Sequence, residues 1–278
     1  MKKTTTSRAL HMDMLTLGSE QVPLVVRHNP RARRFIVRVD MTSGAVHVTT
    51  PNKRNVKGAL AFARGHADWI AAQRNLVPTA EPFCTGAKVP VRGVMHTIRH
   101  IAGDTRSAGG RRRVVTQNIS AETGDAELLV VGDVAFLSRR VADWLKAQAK
   151  ADLNQAVLAH ASKLDVRPSR ITVRDQSSRW GSCSSTRALS FSWRLILTPP
   201  RVLDYVAAHE VAHLRHMNHG LQFWKTVAQL MPDYRGAIRW LETEGPALHR
   251  FGSGNSGGSA GFGAPGRPFE YQNTKVIK

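Results

Sequence analysis

Five consecutive residues constrain this chain more than any others: His209-Glu210-Val211-Ala212-His213. They lie in a stretch, residues 199–217, whose apolar spacing predicts a helix, with Thr198 as its cap and Pro199 in its first turn. Residues four apart on a helix sit one turn apart on the same face, so His209 and His213 aim two imidazoles at one point. Val202 and Val206 precede them on that face, which sets the pair against packed structure. Glu210 is rotated about 100° from His209. It need not bind what the histidines bind, yet it reaches a water held there. With 12 histidines in 278 residues, such a pattern is expected only about 0.015 times by chance.

Two helix histidines, a third nitrogen ligand and a water make an open catalytic zinc site. His219 is the favoured third ligand. It stands between Asn218 and Gly220, both helix terminators, and a chain that turns there returns His219 over the first two. His216 competes, but three ligands on one straight helix do not easily close a tetrahedral site. Glu242 and Glu244 are the carboxylate alternatives. A core helix with incidental histidines is the poorer reading, because three convergent histidines and a glutamate are costly to bury without purpose.

The rest of the chain supplies a scaffold large enough to hold such a site. Hydrophobic residues make up 42% and charged residues 22%, which excludes disorder throughout. No run approaches the roughly 20 apolar residues of a membrane span. The basic N-terminus has no apolar segment behind it, so no secretory signal is expected. Two cysteines, Cys84 and Cys183, cannot staple a fold of this size, and a cytoplasmic location is expected. The net charge is +20, with +8 in the first sixty residues. That excess favours DNA or another polyanion as a partner, although a solvated basic surface gives the same count.

Four regions are expected: a loose arm over residues 1–19, a β-rich subdomain over 20–132, a catalytic domain over 133–250 and a flexible Gly/Ser-rich tail over 251–278. Short β-like runs fall at 22–26, 35–39 and 45–49, followed by a helix at 55–75. A hairpin pair at 89–94 and 96–101 turns around Met95. Residues 108–113 read as a basic turn, and 114–117 and 127–131 as strands. A long helix spans 133–164. A strand at 171–173 precedes an alternating strand at 189–197, and helices follow at 221–230 and 234–249.

The run Arg179-Trp180-Gly181-Ser182-Cys183, then residues 189–197, 205–213, Asn218-His219-Gly220 and Phe223-Trp224, closely resembles the YgjP-like metallopeptidase family. It is similar, more distantly, to SprT-type zinc proteases. The resemblance covers roughly residues 20–245 and is most specific over 178–240. It implies an α+β zincin-like domain behind a small β-rich subdomain, with one zinc ion on His209, His213 and His219 and with Glu210 as catalytic base. Members often carry serine after the last histidine, where this chain has Gly220. The chain does not fit the metzincins, which have glycine where His216 stands, and Met231 marks no clear methionine turn.

The leading expectation is therefore a cytoplasmic zinc metallopeptidase acting on protein or peptide. Arg179, Trp180, Gly181 and Ser182 are expected to line the cleft, because an edge strand near the metal pairs with extended substrate. Tyr234 either donates to an oxyanion or packs at a helix start. Cys183 as an inhibitory thiolate ligand is a weaker reading. Two alternatives carry other chemistry. Arg174, Arg179, Arg194 and Arg201 flank the site in sequence, and arginine forks suit the phosphates of a nucleotide in a metal-dependent phosphohydrolase. A non-catalytic nucleic-acid-binding module with a structural zinc would predict a closed site, which the intact Glu210 argues against.

Overall fold

The computed structural model describes residues 9–252 apart from 41–42, 76, 78, 104–105, 108–109, 112–113, 121–123 and 177–178. The chain is α+β and divides into two compact units, one ending at Thr79 and one beginning at Ala80. This division differs from the boundary expected at 132/133, because the second group of β-strands belongs to the unit that carries the histidines. The tail beyond 252 and most of the basic turn at 108–113 lie outside the described residues.

The first unit is a four-stranded sheet with two helices. Its strands are β1 (Ala9–Leu17), β2 (Glu20–His28), β3 (Ile36–Val39) and β4 (Val46–Thr50), in the order β1-β2-β4-β3. Residues 9–17 are thus a strand rather than part of a loose arm. They pair antiparallel with β2 around a turn at Gly18, whose φ of +60 suits a residue without a Cβ. One face of the sheet and Ala59, Ala63 and Ile70 enclose the core around Leu15, Leu24, Val26 and Val48. The single helix expected at 55–75 is two: α1 (Val56–Arg64) and α2 (Ala67–Arg74). The break has a local cause. Gly65 is a poor helix former, and the His66 ring nitrogen Nδ1 takes the Phe62 carbonyl at 2.8 Å while its backbone N–H turns to Ala63.

The second unit opens with β5 (Lys88–Val91) and β6 (Val94–Ile101). Their turn falls at Arg92-Gly93 rather than Met95, and both residues have positive φ, as a tight two-residue hairpin requires. The two-residue strands β7 (Arg106–Ser107) and β8 (Gly110–Arg111) pair with each other. Next come β9 (Val115–Ile119) and β10 (Ala126–Val131), which complete a sheet in the order β5-β6-β10-β9. A 3₁₀ turn over Val134–Phe136, capped by Asp133, leads into the 27-residue helix α3 (Leu137–Lys163). Its buried residues Val141, Leu145, Ala149, Leu153 and Val157 recur every fourth position and face one side.

A three-stranded sheet then positions the site. Its strands are β11 (Arg170–Arg174), β12 (Gly181–Cys183) and β13 (Ala188–Ser192), in the order β11-β13-β12. The alternating strand expected to reach Leu197 ends at Ser192. The Ser192 hydroxyl oxygen accepts from the Arg194 N–H, and Trp193–Leu197 coil into a 3₁₀ helix in which all five side chains are buried. Ile196 already broke the apolar–polar alternation. The Thr198 hydroxyl turns back to the Leu195 carbonyl instead of capping the next helix, which starts one residue later than expected, as α4 (Pro200–Ala212). Helices α5 (Leu221–Leu230) and α6 (Tyr234–Thr243) follow, and the expected extension of α6 to His249 is a separate 3₁₀ turn, Gly245–Arg250, begun by Gly245-Pro246.

Candidate metal centre

α4 is a core helix. It packs on α3, α5, α6 and β12, and every residue from Tyr205 to Ala212 is buried. The helix ends at Ala212 rather than near Met217. His216 N–H and Arg215 N–H both return to the Ala212 carbonyl, and the chain leaves the helix axis. This early exit places His219 beside the helix histidines. His209 Nε2 lies 3.1 Å from His219 Nε2, and one nitrogen from each of His209, His213 and His219 falls within 4.8 Å of the others. His216 is not in that group, nor are Glu242 and Glu244, which are exposed. His216 acts through its backbone instead: its carbonyl accepts from His213 Nδ1 at 3.0 Å, which leaves the lone pair of His213 on Nε2.

Burial and neighbouring rings keep the helix histidines neutral. Desolvation, then the charges of His213 and His219, hold His209 well below the usual imidazole range. Desolvation takes His213 down to about 4, against the opposing effect of its hydrogen bond to the His216 carbonyl. Neutral imidazoles with free lone pairs are competent metal ligands. Glu210 is fully buried, and neither carboxylate oxygen has a hydrogen-bond partner among the described residues. Burial pushes its acid up to about 8, with the Arg179 charge opposing. The carboxylate rests directly on β12: a Cβ added at Gly181 would stand 2.6 Å from Glu210 Oε1. Gly181 was expected in the cleft, and this contact gives the reason for glycine there.

Aromatic rings form the walls. Phe223 is fully buried, with its centroid 4.8 Å from His209, 4.5 Å from His213 and 4.7 Å from His219. It is an apolar floor common to all three imidazoles. Tyr205, four residues before His209 and so on the same face, places its hydroxyl 3.3 Å from His209 Nδ1. The helical spacing alone could have singled out Tyr205. Tyr234 opens α6, and its ring stacks between those of Tyr205 and Trp224.

The other expected site residues divide. Arg179 is half-buried and acts electrostatically on Glu210. Ser182 pairs with Ser190 in the sheet, so β12 keeps its outer edge. The Trp180 ring packs on Gly245 and lies 5.6 Å from the His249 ring. Burial, then Glu210, raises the Cys183 thiol to about 12, which opposes the thiolate a ligand would need. Arg194 does not join a phosphate pocket. It is 2% exposed, ion-paired with Asp175 and laid over the Trp193 ring at 4.6 Å. Arg174 and Arg201 are exposed.

Two histidines and a buried glutamate at the end of a helix braced by a mixed sheet, with a third histidine returned from the segment after it, form the arrangement of a metal-dependent peptidase. Residues 33–244 match the family model described as YgjP-like, metallopeptidase domain, and the chain belongs to that family. No curated protein matches the chain in sequence. Among solved structures, the crystal structure of the metallopeptidase zymogen of Pyrococcus abyssi abylysin is similar at 15% identity, covering 32% of this chain and 92% of that one with a TM-score of 0.30. No helix among the described residues is long and apolar enough to cross a membrane.

Proposed function

We propose that the protein is a zinc-dependent endopeptidase in which His209, His213 and His219 hold one zinc ion and Glu210 is the general base. The observation that carries this reading is the convergence of three imidazole nitrogens beside a carboxylate without a hydrogen-bond partner among the described residues. Ligand nitrogens around a tetrahedral zinc stand about 3.3 Å apart for bonds of about 2.0–2.1 Å, close to the 3.1 Å between His209 and His219. Zinc bound there would polarise the scissile carbonyl and acidify a water. With the ion bound, Glu210 would be the group placed to take a proton from that water and to return it to the leaving amine nitrogen. Its carboxylate, set against Gly181, is held at the strand where substrate would lie. The outer edge of β12 offers backbone donors and acceptors to an extended peptide, with Arg179, Trp180, Gly181 and Ser182 along its path. On the same reading the enzyme acts in the cytoplasm, and its net charge of +20 draws it to polyanions, DNA included.

The test compares wild type with Glu210→Gln for metal content and casein cleavage. One equivalent of zinc in both, with cleavage in wild type alone, is the expected result. Zinc in both with cleavage in neither would reject the peptidase assignment.

A further inference from the structure

Four rings run in sequence around the candidate metal centre. Tyr205 stacks on Tyr234 with centroids 6.4 Å apart and planes 17° from parallel. Tyr234 stacks on Trp224 at 5.6 Å and 21°. Trp224 stacks on His219 at 6.0 Å and 28°. The chain of contacts begins at one histidine and ends at another, since the Tyr205 hydroxyl lies 3.3 Å from His209 Nδ1. Its members come from three helices: Tyr205 from α4, Trp224 from α5 and Tyr234 from the first position of α6.

We propose that Tyr205, Tyr234 and Trp224 are positioning residues for the metal centre, Tyr205 fixing the tautomer of His209 and Trp224 bracing the ring of His219. The inference rests on the metal-binding reading of the three histidines. Its two ends answer two needs of that site. For His209 to offer a lone pair at Nε2, its Nδ1 must carry the hydrogen, and a buried N–H needs an acceptor. Tyr205 is 1% exposed and supplies that acceptor through its hydroxyl oxygen. His213 meets the same need with the His216 carbonyl. His219 has a different problem. It lies beyond α4 in the irregular stretch before α5, so no helix fixes its ring. Stacking on Trp224, which sits in the first turn of α5, holds the ring plane at little entropic cost. Tyr234 joins the two ends, so loss at either is felt through a shared stack.

The experiment measures zinc affinity by chelator competition on the full chain, with the thermal midpoint of the metal-free protein beside it. Tyr205→Phe keeps every ring contact and removes one oxygen. It is expected to weaken zinc binding about 10–100-fold while leaving the metal-free midpoint near wild type. Trp224→Leu is expected to weaken binding likewise, and Trp224→Phe to restore most of it. A Tyr205→Phe protein that holds zinc within about threefold of wild type overturns the inference, since RT ln 3 is far below the loss that outer-shell partners produce. His213→Ala is the control for the underlying reading. If wild type binds no more zinc than His213→Ala, the metal site itself is wrong; if wild type binds and Tyr205→Phe binds equally, only the positioning role falls.

Discussion

Gly181→Ala is the sharpest perturbation of the link between β12 and α4. The added Cβ would lie 2.6 Å from Glu210 Oε1, 2.8 Å from its Cγ and 2.9 Å from its Cδ. Ordinary contact begins at 3.4 Å, so the carboxylate must retreat by about 0.8 Å or the strand must move. Glu210 has no slack, because it is fully buried in α4. Overpacking of this kind costs about 1–3 kcal/mol of stability. A misplacement near 1 Å in a catalytic group costs about 10²-fold in rate. The histidines are untouched, so zinc content should stay at the wild-type level. Steady-state peptide cleavage should therefore show kcat lowered about 10²-fold, with the variant still folded and loaded. Combining the change with Glu210→Asp, which shortens the side chain by one methylene, gives a second reading of the same contact. The double variant should lose much less than the product of the two single losses, because the groups touch. A Gly181→Ala enzyme with wild-type turnover would refute the placement of Glu210 against β12 as its working position.

Two further outcomes test the scaffold. Asp175→Asn leaves Arg194, 2% exposed, without its countercharge; urea unfolding should show a loss of about 2 kcal/mol, and an unchanged midpoint would show that the pair contributes nothing. In the first unit, burial and then the Arg27 charge lower His47 below its usual 6.5, with Asp40 opposing. The folded state then binds fewer protons than the unfolded chain, so stability present above pH 6.5 is lost as the pH falls from there through the folded value. His47→Gln should lose less stability than wild type between pH 7.5 and 5.5, and parallel losses would remove His47 as a cause.

What was legible in the sequence followed from how local its cause was. The α3 stripe and the α4 histidine pair are written in four-residue spacing, and one helical turn is enough to produce them. Tyr205 obeys the same rule and was open to the same argument. The break at Gly65 depended on a side chain, His66, competing for a backbone carbonyl. The 3₁₀ coil after Ser192 depended on burial from all sides, under which a strand's alternation no longer matters. The stack from Tyr205 to His219 joins residues from three helices, and no periodicity records which helix faces meet. His219 lies between these cases. The terminators around it signalled a turn before α5 but not the exit from α4, which comes earlier, at Ala212; its return to His209 is set by that early exit and by Phe223 beneath.

Glu210 supplies the physical reason for treating this core as a working one. An acid raised from 4.5 to about 8 by burial destabilises the metal-free fold as the pH rises through 4.5, and the loss is complete above 8. At pH 7 the cost is about 3 kcal/mol, from 1.36 kcal/mol per unit. That is a large share of the 5–15 kcal/mol (roughly) that holds a domain folded. A leucine of similar size would remove it, and α4 is otherwise packed with Val202, Val206, Ala207 and Val211. A cation held by His209, His213 and His219 would reverse the electrostatics, since a nearby positive charge favours the carboxylate over the acid. An ion held there would make Glu210 both useful and tolerable, and the lowered imidazoles of His209 and His213 are in the protonation state that binding requires. In this fold the stability cost at the helix centre and the chemistry proposed for it have one cause.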